Sequence, residues 1–172
     1  MPDITLNLSQ KLKQTWRQLP IAATVLISRF NYLPANFSPL GSFGFFSQNF
    51  FLYFVSIIIF DIIKSGFYQG FVFTYLGFLA YYLFGKLAAN NLNKQMLFLP
   101  LASLSFFLLS NLGSWWLWYQ HDFAGLAQCY LLALPFYRNT LLGDLFFGYG
   151  YLLMKKTNFF SLSLSAKQRL TT

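Results

Sequence analysis

The chain has 172 residues, of which 56% are hydrophobic and only 9% are charged. A soluble domain carries about 25% charged residues, so this chain has too few charges to cover a surface that faces water. The composition indicates a polytopic membrane protein, with the lipid bilayer as its first partner. The net charge of +8 does not indicate a nucleic-acid partner. Most basic residues lie beside apolar segments, where they set topology and contact anionic lipid headgroups.

The N-terminal residues 1–18 combine apolar residues at helical spacing with basic residues. This pattern predicts an amphipathic segment in the membrane interface, with Trp16 at headgroup depth; a frayed tail is the alternative. The first apolar segment, residues 19–33, is short for a span of about 20 residues. Arg29 lies near its far end, where a long side chain can reach the headgroups.

The aromatic-rich stretch 38–63 is compatible with one tilted helix or with two short helices folded into a hairpin. Length favours one helix, because each half is shorter than a span of about 20 residues. The positive-inside rule favours two, because an even number of crossings keeps residues 86–94 and both termini cytoplasmic. We therefore predict an all-α bundle of about six transmembrane helices in residues 19–156. A loosely ordered cytoplasmic tail, residues 157–172, follows it.

Three further apolar segments follow, at residues 71–87, 97–118 and 123–154. The last would measure about 48 Å as a straight helix at ~1.5 Å per residue, against a hydrocarbon core of about 30 Å. It must therefore tilt, start along the interface or break. Pro135 and Gly143 are the expected positions of a break.

The last segment also carries polar residues that a membrane-buried helix rarely contains. Pro135 removes a backbone donor, and Arg138, Asn139 and Asp144 follow it within nine residues. An isolated charge at this depth costs at least about 2.5–3.5 kcal/mol, so these groups must face protein or water rather than lipid. This stretch is therefore the strongest candidate for a functional site.

In the six-span arrangement, polar and aromatic residues from separate helices converge on the outer half of the bundle. The predicted ligand-binding set contains Arg29, Asn36, Asp61, Tyr75, Asn111, Trp115, Arg138, Asn139 and Asp144. Their convergence predicts an outward-facing pocket for a small solute, with Arg138 at its floor and aromatic rings as its walls. The guanidinium favours an anionic solute.

Structural roles are alternatives for several of these residues. Arg138 and Asp144 can form a buried ion pair that joins two pieces of a kinked helix. Asp61 can pair with Lys64, three residues later, and Asn111 can bond a neighbouring helix. The aromatic members of the set also suit the membrane interface.

The sequence gives little support to catalysis. It contains one histidine and four acidic residues, with no Ser/His/Asp spacing, His/Glu metal motif or glycine-rich phosphate loop. Asp61 and Asp144 lie at opposite depths in the predicted topology, so we do not expect paired carboxylate chemistry. We expect neither a cofactor nor a metal, and proton-coupled transport through Asp144 is the nearest chemical alternative.

Several blocks between residues 29 and 148 carry a resemblance to other proteins. They are Arg29 with Leu33-Pro34-x-Asn36-Phe37-Ser38-Pro39-Leu40-Gly41, then Asp61, Tyr75, Phe106-Phe107-x-x-Ser110-Asn111-x-Gly113-x-Trp115, Gly125-Leu126-x-x-Cys129-Tyr130 and Ala133-Leu134-Pro135-Phe136-x-x-Asn139-Thr140-Leu141-x-Gly143-Asp144. With these blocks the chain resembles a family of small bacterial multi-span inner-membrane proteins of unknown function. The resemblance implies a location in the bacterial inner membrane.

The chain length and predicted number of spans are also similar to those of the S components of energy-coupling-factor transporters. Those membrane proteins bind vitamins or similar solutes from outside and associate with a shared coupling module, so the similarity implies a substrate-binding subunit with such a partner. S components often carry an Ala-x-x-x-Ala pattern in the first span. Here Ala22 and Ala23 are followed four residues later by Leu26 and Ile27, so the similarity concerns the pocket more than the coupling partner.

The leading hypothesis is an integral membrane protein that binds or transports a small solute. Capture would involve Arg138, Asn139, Asn111 and the aromatic walls, and a kink near Pro135 would let the two parts of the last helix move. The alternative is a non-catalytic membrane scaffold or assembly subunit without a ligand cavity, in which Arg138 and Asp144 pair directly.

Overall fold

The computed structural model describes the backbone of residues 33–64 and 66–169 and the isolated residue 23, with side chains at residues 33–63 and 66–156. All regular structure in this part of the chain is helical. The interfacial segment predicted for residues 1–18, most of the first predicted span and Arg29 lie outside the described residues.

Five helices follow one another in the described part of the chain. They are α1 (Leu40–Phe46), α2 (Phe50–Lys64), α3 (Phe71–Ala88), α4 (Leu92–Trp118) and α5 (Phe123–Arg169). By length and composition, α3 and α4 are long and apolar enough to cross a membrane. The predicted number of about six spans is not confirmed, because α1, with seven residues, measures only about 10 Å against a hydrocarbon core of about 30 Å.

The stretch 38–63 forms two helices rather than one, although the two crossings favoured by the charge distribution are not confirmed. Ser47 Oγ donates to the carbonyl of Asn49 at 3.0 Å and accepts its N–H at 3.3 Å, and Asn49 Oδ1 accepts the N–H three residues later at 3.1 Å. These side chains satisfy backbone groups that are left open between two helices. The chain reverses there, so that the rings of Phe43 and Tyr53 pack edge-on at 5.8 Å.

Helix α1 lies inside the bundle because glycines let other groups approach it closely. Every residue from Leu40 to Phe45 is buried. Gly85 of α3 lies against the carbonyl of Phe45, and Gly44 lies against the ring of Tyr53, so a Cβ at either glycine would overlap its neighbour. Such close approach requires a residue without a side chain. As a result α1 fills the space between α3, α4 and α5.

Helices α3, α4 and α5 form an antiparallel group joined by short turns. Asn91 caps α4 by accepting the N–H of Lys94 at 3.0 Å, and Asp122 caps the start of α5 by accepting the N–H of Gly125 at 2.7 Å. Asn and Asp are favoured at these positions because their side chains satisfy the open donors of a first turn. The two turns lie at opposite ends of α4.

Helix α5 is continuous from Phe123 to Arg169, without the predicted break at Pro135 or Gly143. Its 47 residues measure about 70 Å, and the helix extends past residue 157, where the sequence predicts a loosely ordered tail. Pro135 and Leu131, whose carbonyl loses its donor, are both exposed. The proline therefore disturbs the outer side of the helix and leaves the packed side intact.

Candidate functional site

A non-helical turn in residues 33–39 enters the bundle beside α5. The N–H of Phe37 bonds the carbonyl three residues earlier at 2.9 Å. Asn36 has φ of 63°, a left-handed conformation that Asn adopts more readily than most residues. Asn139 of α5 donates from Nδ2 to the carbonyl of Ala35 at 3.0 Å, so a polar residue of the last helix holds this turn in place.

The second half of the turn packs directly on α5. A Cβ at Gly143 would lie 2.9 Å from the backbone nitrogen of Ser38, so only glycine allows this approach without displacing the turn. The ring of Phe37 packs against Phe146 and Phe147 at 5.9 and 5.5 Å. Ser38 Oγ then accepts an N–H from the start of α1 at 3.2 Å. The Asn-Phe-Ser-Pro block thus anchors the chain where it enters the bundle.

Behind the turn lies the central cavity, a space of about 360 Å³. It is lined by the turn, by the start of α1, and by Phe60, Phe78, Tyr81, Phe106, Thr140 and Asp144. A side cavity of about 260 Å³ shares Asn36, Phe106 and Thr140 with it and extends between α4 and α5 to Asn111 and Tyr137. The turn and the middle parts of α3, α4 and α5 therefore line two adjoining, partly open spaces.

A buried carboxylate forms the floor of the central cavity. Asp144 is only 1% exposed; its Oδ2 accepts the hydroxyl of Tyr81, and its backbone carbonyl accepts Ser42 Oγ at 2.8 Å. Gly41 lies against Oδ1, where a Cβ would overlap it. Among the described residues, the groups that interact with this carboxylate are the hydroxyls of Tyr81 and Ser103 and the backbone N–H of Ser42, all of them neutral.

Ser103 of α4 adds a third hydroxyl at the same place. It is fully buried, and it lies beside the carboxylate of Asp144 and the hydroxyl of Tyr81. Its Oγ has no hydrogen bond of normal geometry within the described part of the chain. Three polar side chains from α3, α4 and α5 thus meet below the cavity, in an otherwise apolar interior.

Three residues of the predicted set line the two cavities. Asn36 lines both, Asp144 lines the central cavity and Asn111 lines the side cavity. Asn111 Nδ2 donates to the carbonyl of Phe107 in its own helix at 2.8 Å, rather than to a neighbouring helix. Asn139 lines neither cavity but holds the turn at residues 33–39 through its bond to the carbonyl of Ala35.

Arg138 lies elsewhere. It is exposed and lines neither the central nor the side cavity. Arg138 and Asp144 are six residues apart, which places their side chains about 120° apart around a helix of 3.6 residues per turn. The floor of the central cavity is therefore Asp144 rather than Arg138, whose neighbours on the outer face include the exposed Leu134 and Leu142.

The other predicted residues make contacts away from the cavities. The hydroxyl of Tyr75 donates to Asp61 Oδ2 at 2.8 Å, which joins α3 to α2. Trp115 Nε1 donates to the carbonyl of Gln120 at 2.9 Å and holds the turn before α5. Arg29 lies outside the described residues.

Tyr81 and Ser103 are site residues that the sequence analysis does not identify. Each is a single polar group within a long apolar segment, and neither has a sequence neighbour that suggests a site. A usable signal exists in α5, where Thr140, Asp144 and Gly148 recur at four-residue intervals and therefore share one face. Following that face leads from Asp144 into the bundle and away from Arg138.

The described residues contain no group of three or more His, Cys, Asp or Glu side chains placed to hold a metal ion. Among protein families, the family of unknown function DUF6580 matches residues 9–162, a range that includes the turn and all the cavity-lining residues. No curated protein and no solved structure matches the chain.

Proposed function

We propose that this chain, which belongs to the family of unknown function DUF6580, is an integral membrane protein that binds a small solute in its central cavity. The observation that carries the proposal is a cavity of about 360 Å³ above the buried Tyr81–Asp144 pair. Sites for small molecules typically measure about 300–1,000 Å³ and combine apolar walls with a few placed polar groups.

The exposed surface supports a membrane location. Helices α3 and α4 have the length and composition of membrane spans. Large apolar side chains are exposed along α4 at Leu101, Leu104, Leu108 and Leu112. They recur every three or four residues and so form one continuous apolar face. A face of this kind is typical of contact with lipid or with another membrane segment.

The turn at residues 33–39 supports a binding site at membrane depth. Non-helical backbone is tolerated at that depth only where it is buried in protein or lines a cavity. Here the turn lines the central cavity and is bonded to Asn139. Interrupted helices in membrane transporters commonly carry substrate sites for the same reason.

The basic residues support an orientation. Four lysines are exposed: Lys86, Lys94, Lys155 and Lys156. They lie near the same end of the helix group, since the hydroxyl of Tyr149 in α5 bonds the carbonyl of Met96 in α4 at 2.9 Å and so brings the end of α5 beside the start of α4. The positive-inside rule assigns that end to the cytoplasm, so the turn 119–122 faces outward. In this proposal the protein lies in a bacterial inner membrane with both termini cytoplasmic, and a coupling module would contact the basic end.

A membrane scaffold is the second candidate, and one observation favours it. Arg138 is exposed on an apolar face beside Leu134 and Leu142, where a charge facing lipid costs at least about 2.5–3.5 kcal/mol. An acidic group on a partner helix would stabilise it. In that case Arg138→Gln removes a co-purifying membrane partner, whereas changes in the central cavity leave the partner bound.

The solute-binding proposal is tested by changing the volume of the cavities. Thr140 lines both cavities, and its hydroxyl bonds only the carbonyl of Phe136 in its own helix. Thr140→Phe therefore fills the space without removing a bond between helices. The control is Leu142→Phe, which adds a ring on the exposed side of the same helix.

The measurement is mass spectrometry of small molecules released by denaturing full-length protein purified from membranes. We expect a stoichiometric solute from the wild type and from Leu142→Phe, and its loss from Thr140→Phe. Equal release from the wild type and Thr140→Phe would show that the bound molecule lies elsewhere. Release of no solute from the wild type would contradict a receptor that retains its ligand.

A further inference from the structure

We infer that the central cavity accepts a small, positively charged amine with an apolar body; this inference rests on the proposed function and names its solute class. The first observation is the charge of the lining. Among the described residues, those that line the cavity include one carboxylate, Asp144, and no lysine, arginine or histidine. Within the described part of the chain, the charged side chain that a solute in this space approaches is therefore an acidic one.

The second observation is the aromatic character of the walls. Phe60, Phe78, Tyr81 and Phe106 line the space next to the carboxylate, and the rings of Phe78 and Phe106 lie 4.9 Å apart. Ring faces carry partial negative charge and attract ammonium groups. The walls and the floor thus favour the same sign of charge in the solute, and both disfavour an anion.

The third observation is that no cationic side chain of residues 33–63 or 66–156 is paired with Asp144. In the described part of the chain, the groups that interact with its carboxylate are the hydroxyls of Tyr81 and Ser103 and the backbone N–H of Ser42, all of them neutral. Burying a carboxylate is costly unless it is paired or neutralised. An ammonium group held in the cavity would lie next to this carboxylate and provide the opposite charge in a medium of low dielectric constant.

The positive charge inferred for the solute is opposite to the negative charge expected from the sequence. The anionic solute predicted there depends on a guanidinium at the floor of the pocket. Arg138 is instead exposed and lines neither the central nor the side cavity. The charge that a solute meets in the central cavity is that of Asp144.

The inference is tested by thiol reagents of opposite charge on the full-length protein. Cys129→Ala removes the native thiol, Thr140→Cys places a thiol in the cavity, and Gln120→Cys on the exposed turn provides the reference. The probes are cationic 2-aminoethyl methanethiosulfonate and anionic 2-sulfonatoethyl methanethiosulfonate. We expect the cation-to-anion rate ratio at position 140 to exceed the reference ratio at least about tenfold, and Asp144→Asn to remove that excess.

Each outcome has a separate consequence. A ratio at position 140 equal to the reference, or unchanged by Asp144→Asn, overturns the cationic solute but leaves an accessible cavity and the proposed function. A thiol at position 140 that reacts with neither reagent overturns both, because solute then has no access.

A second measurement leaves Asp144 unchanged. The cation 2-phenylethylammonium should slow modification of Thr140→Cys by the cationic reagent more than 2-phenylethanol does, since the two differ mainly in the charged group. Equal protection by the two compounds, or protection by neither, overturns the inference without any dependence on a variant at the floor of the cavity.

Discussion

Replacing Gly41 by alanine tests how tightly the floor of the central cavity is built. A Cβ at this position would overlap Asp144 Oδ1 and lie 2.5 and 2.7 Å from two ring carbons of Tyr81. Neither neighbour has free space, because both side chains are at most 1% exposed and are bonded to each other. The added methyl group must therefore move α1 or separate the phenol from the carboxylate.

The expected cost follows from these two consequences. Overpacking a well-packed interior costs about 1–3 kcal/mol, and loss of a hydrogen bond to a buried polar group adds about 1–3 kcal/mol. Since the structure can relax along the less costly of the two routes, we expect Gly41→Ala to lower the free energy of unfolding by about 1–3 kcal/mol.

Gly150→Ala is the matched control. Gly150 also lies in a helix, but a Cβ there meets nothing within 4 Å, so alanine should stabilise the helix by about 0.5–1 kcal/mol. The assay is unfolding in mixed micelles with increasing dodecyl sulfate, followed by tryptophan fluorescence. If Gly41→Ala and Gly150→Ala give equal stabilities, the close packing of α1 on the Tyr81–Asp144 pair is refuted.

Three further predictions concern the turn, Arg138 and the topology. Asn36→Ala should destabilise the protein by about 1 kcal/mol in the same unfolding assay, because alanine is strained at positive φ. Asn36→Gly should leave the stability nearly unchanged, and equal losses from the two variants would contradict the turn geometry. Arg138→Gln should leave the reagent ratio at position 140 unchanged; a large shift in that ratio would restore Arg138 to the site. In a Cys129→Ala background, Gln120→Cys should react with a membrane-impermeant maleimide on intact cells and Asn93→Cys only after permeabilisation; the reverse pattern would invert the orientation.

The helical class and the positions of the long apolar helices are the part of the fold that the sequence predicts, whereas some helix ends differ: α4 begins at Leu92 and α5 continues to Arg169. Apolar segments locate α3 and α4, and the polar triplet Ser47-Gln48-Asn49 locates the division of the stretch 38–63 into two helices. These features are local: a cap or a turn depends on residues within a few positions of each other. The interior position of α1 is not local, because it depends on contacts of its own glycines with other helices and on Gly85 of α3.

Helix geometry explains why the sequence does not distinguish the places of Arg138 and Asp144 in the candidate site. The polar cluster in α5 was identified, but Arg138 and Asp144 point in directions about 120° apart, and burial decides which of them faces the cavity. The partner of Asp144 is Tyr81, 63 positions earlier, and no periodic pattern connects the two residues. Pro135 likewise suggested a break, whereas its position on the exposed side leaves α5 continuous.

An experimental structure of the full-length protein purified from membranes tests the central claim most directly. We expect density for a small solute between Phe106 and Asp144, with the turn at residues 33–39 closing the space from one side. A bundle in which the rings of Phe78 and Phe106 pack directly onto the Tyr81–Asp144 pair and leave no cavity would contradict a solute-binding function.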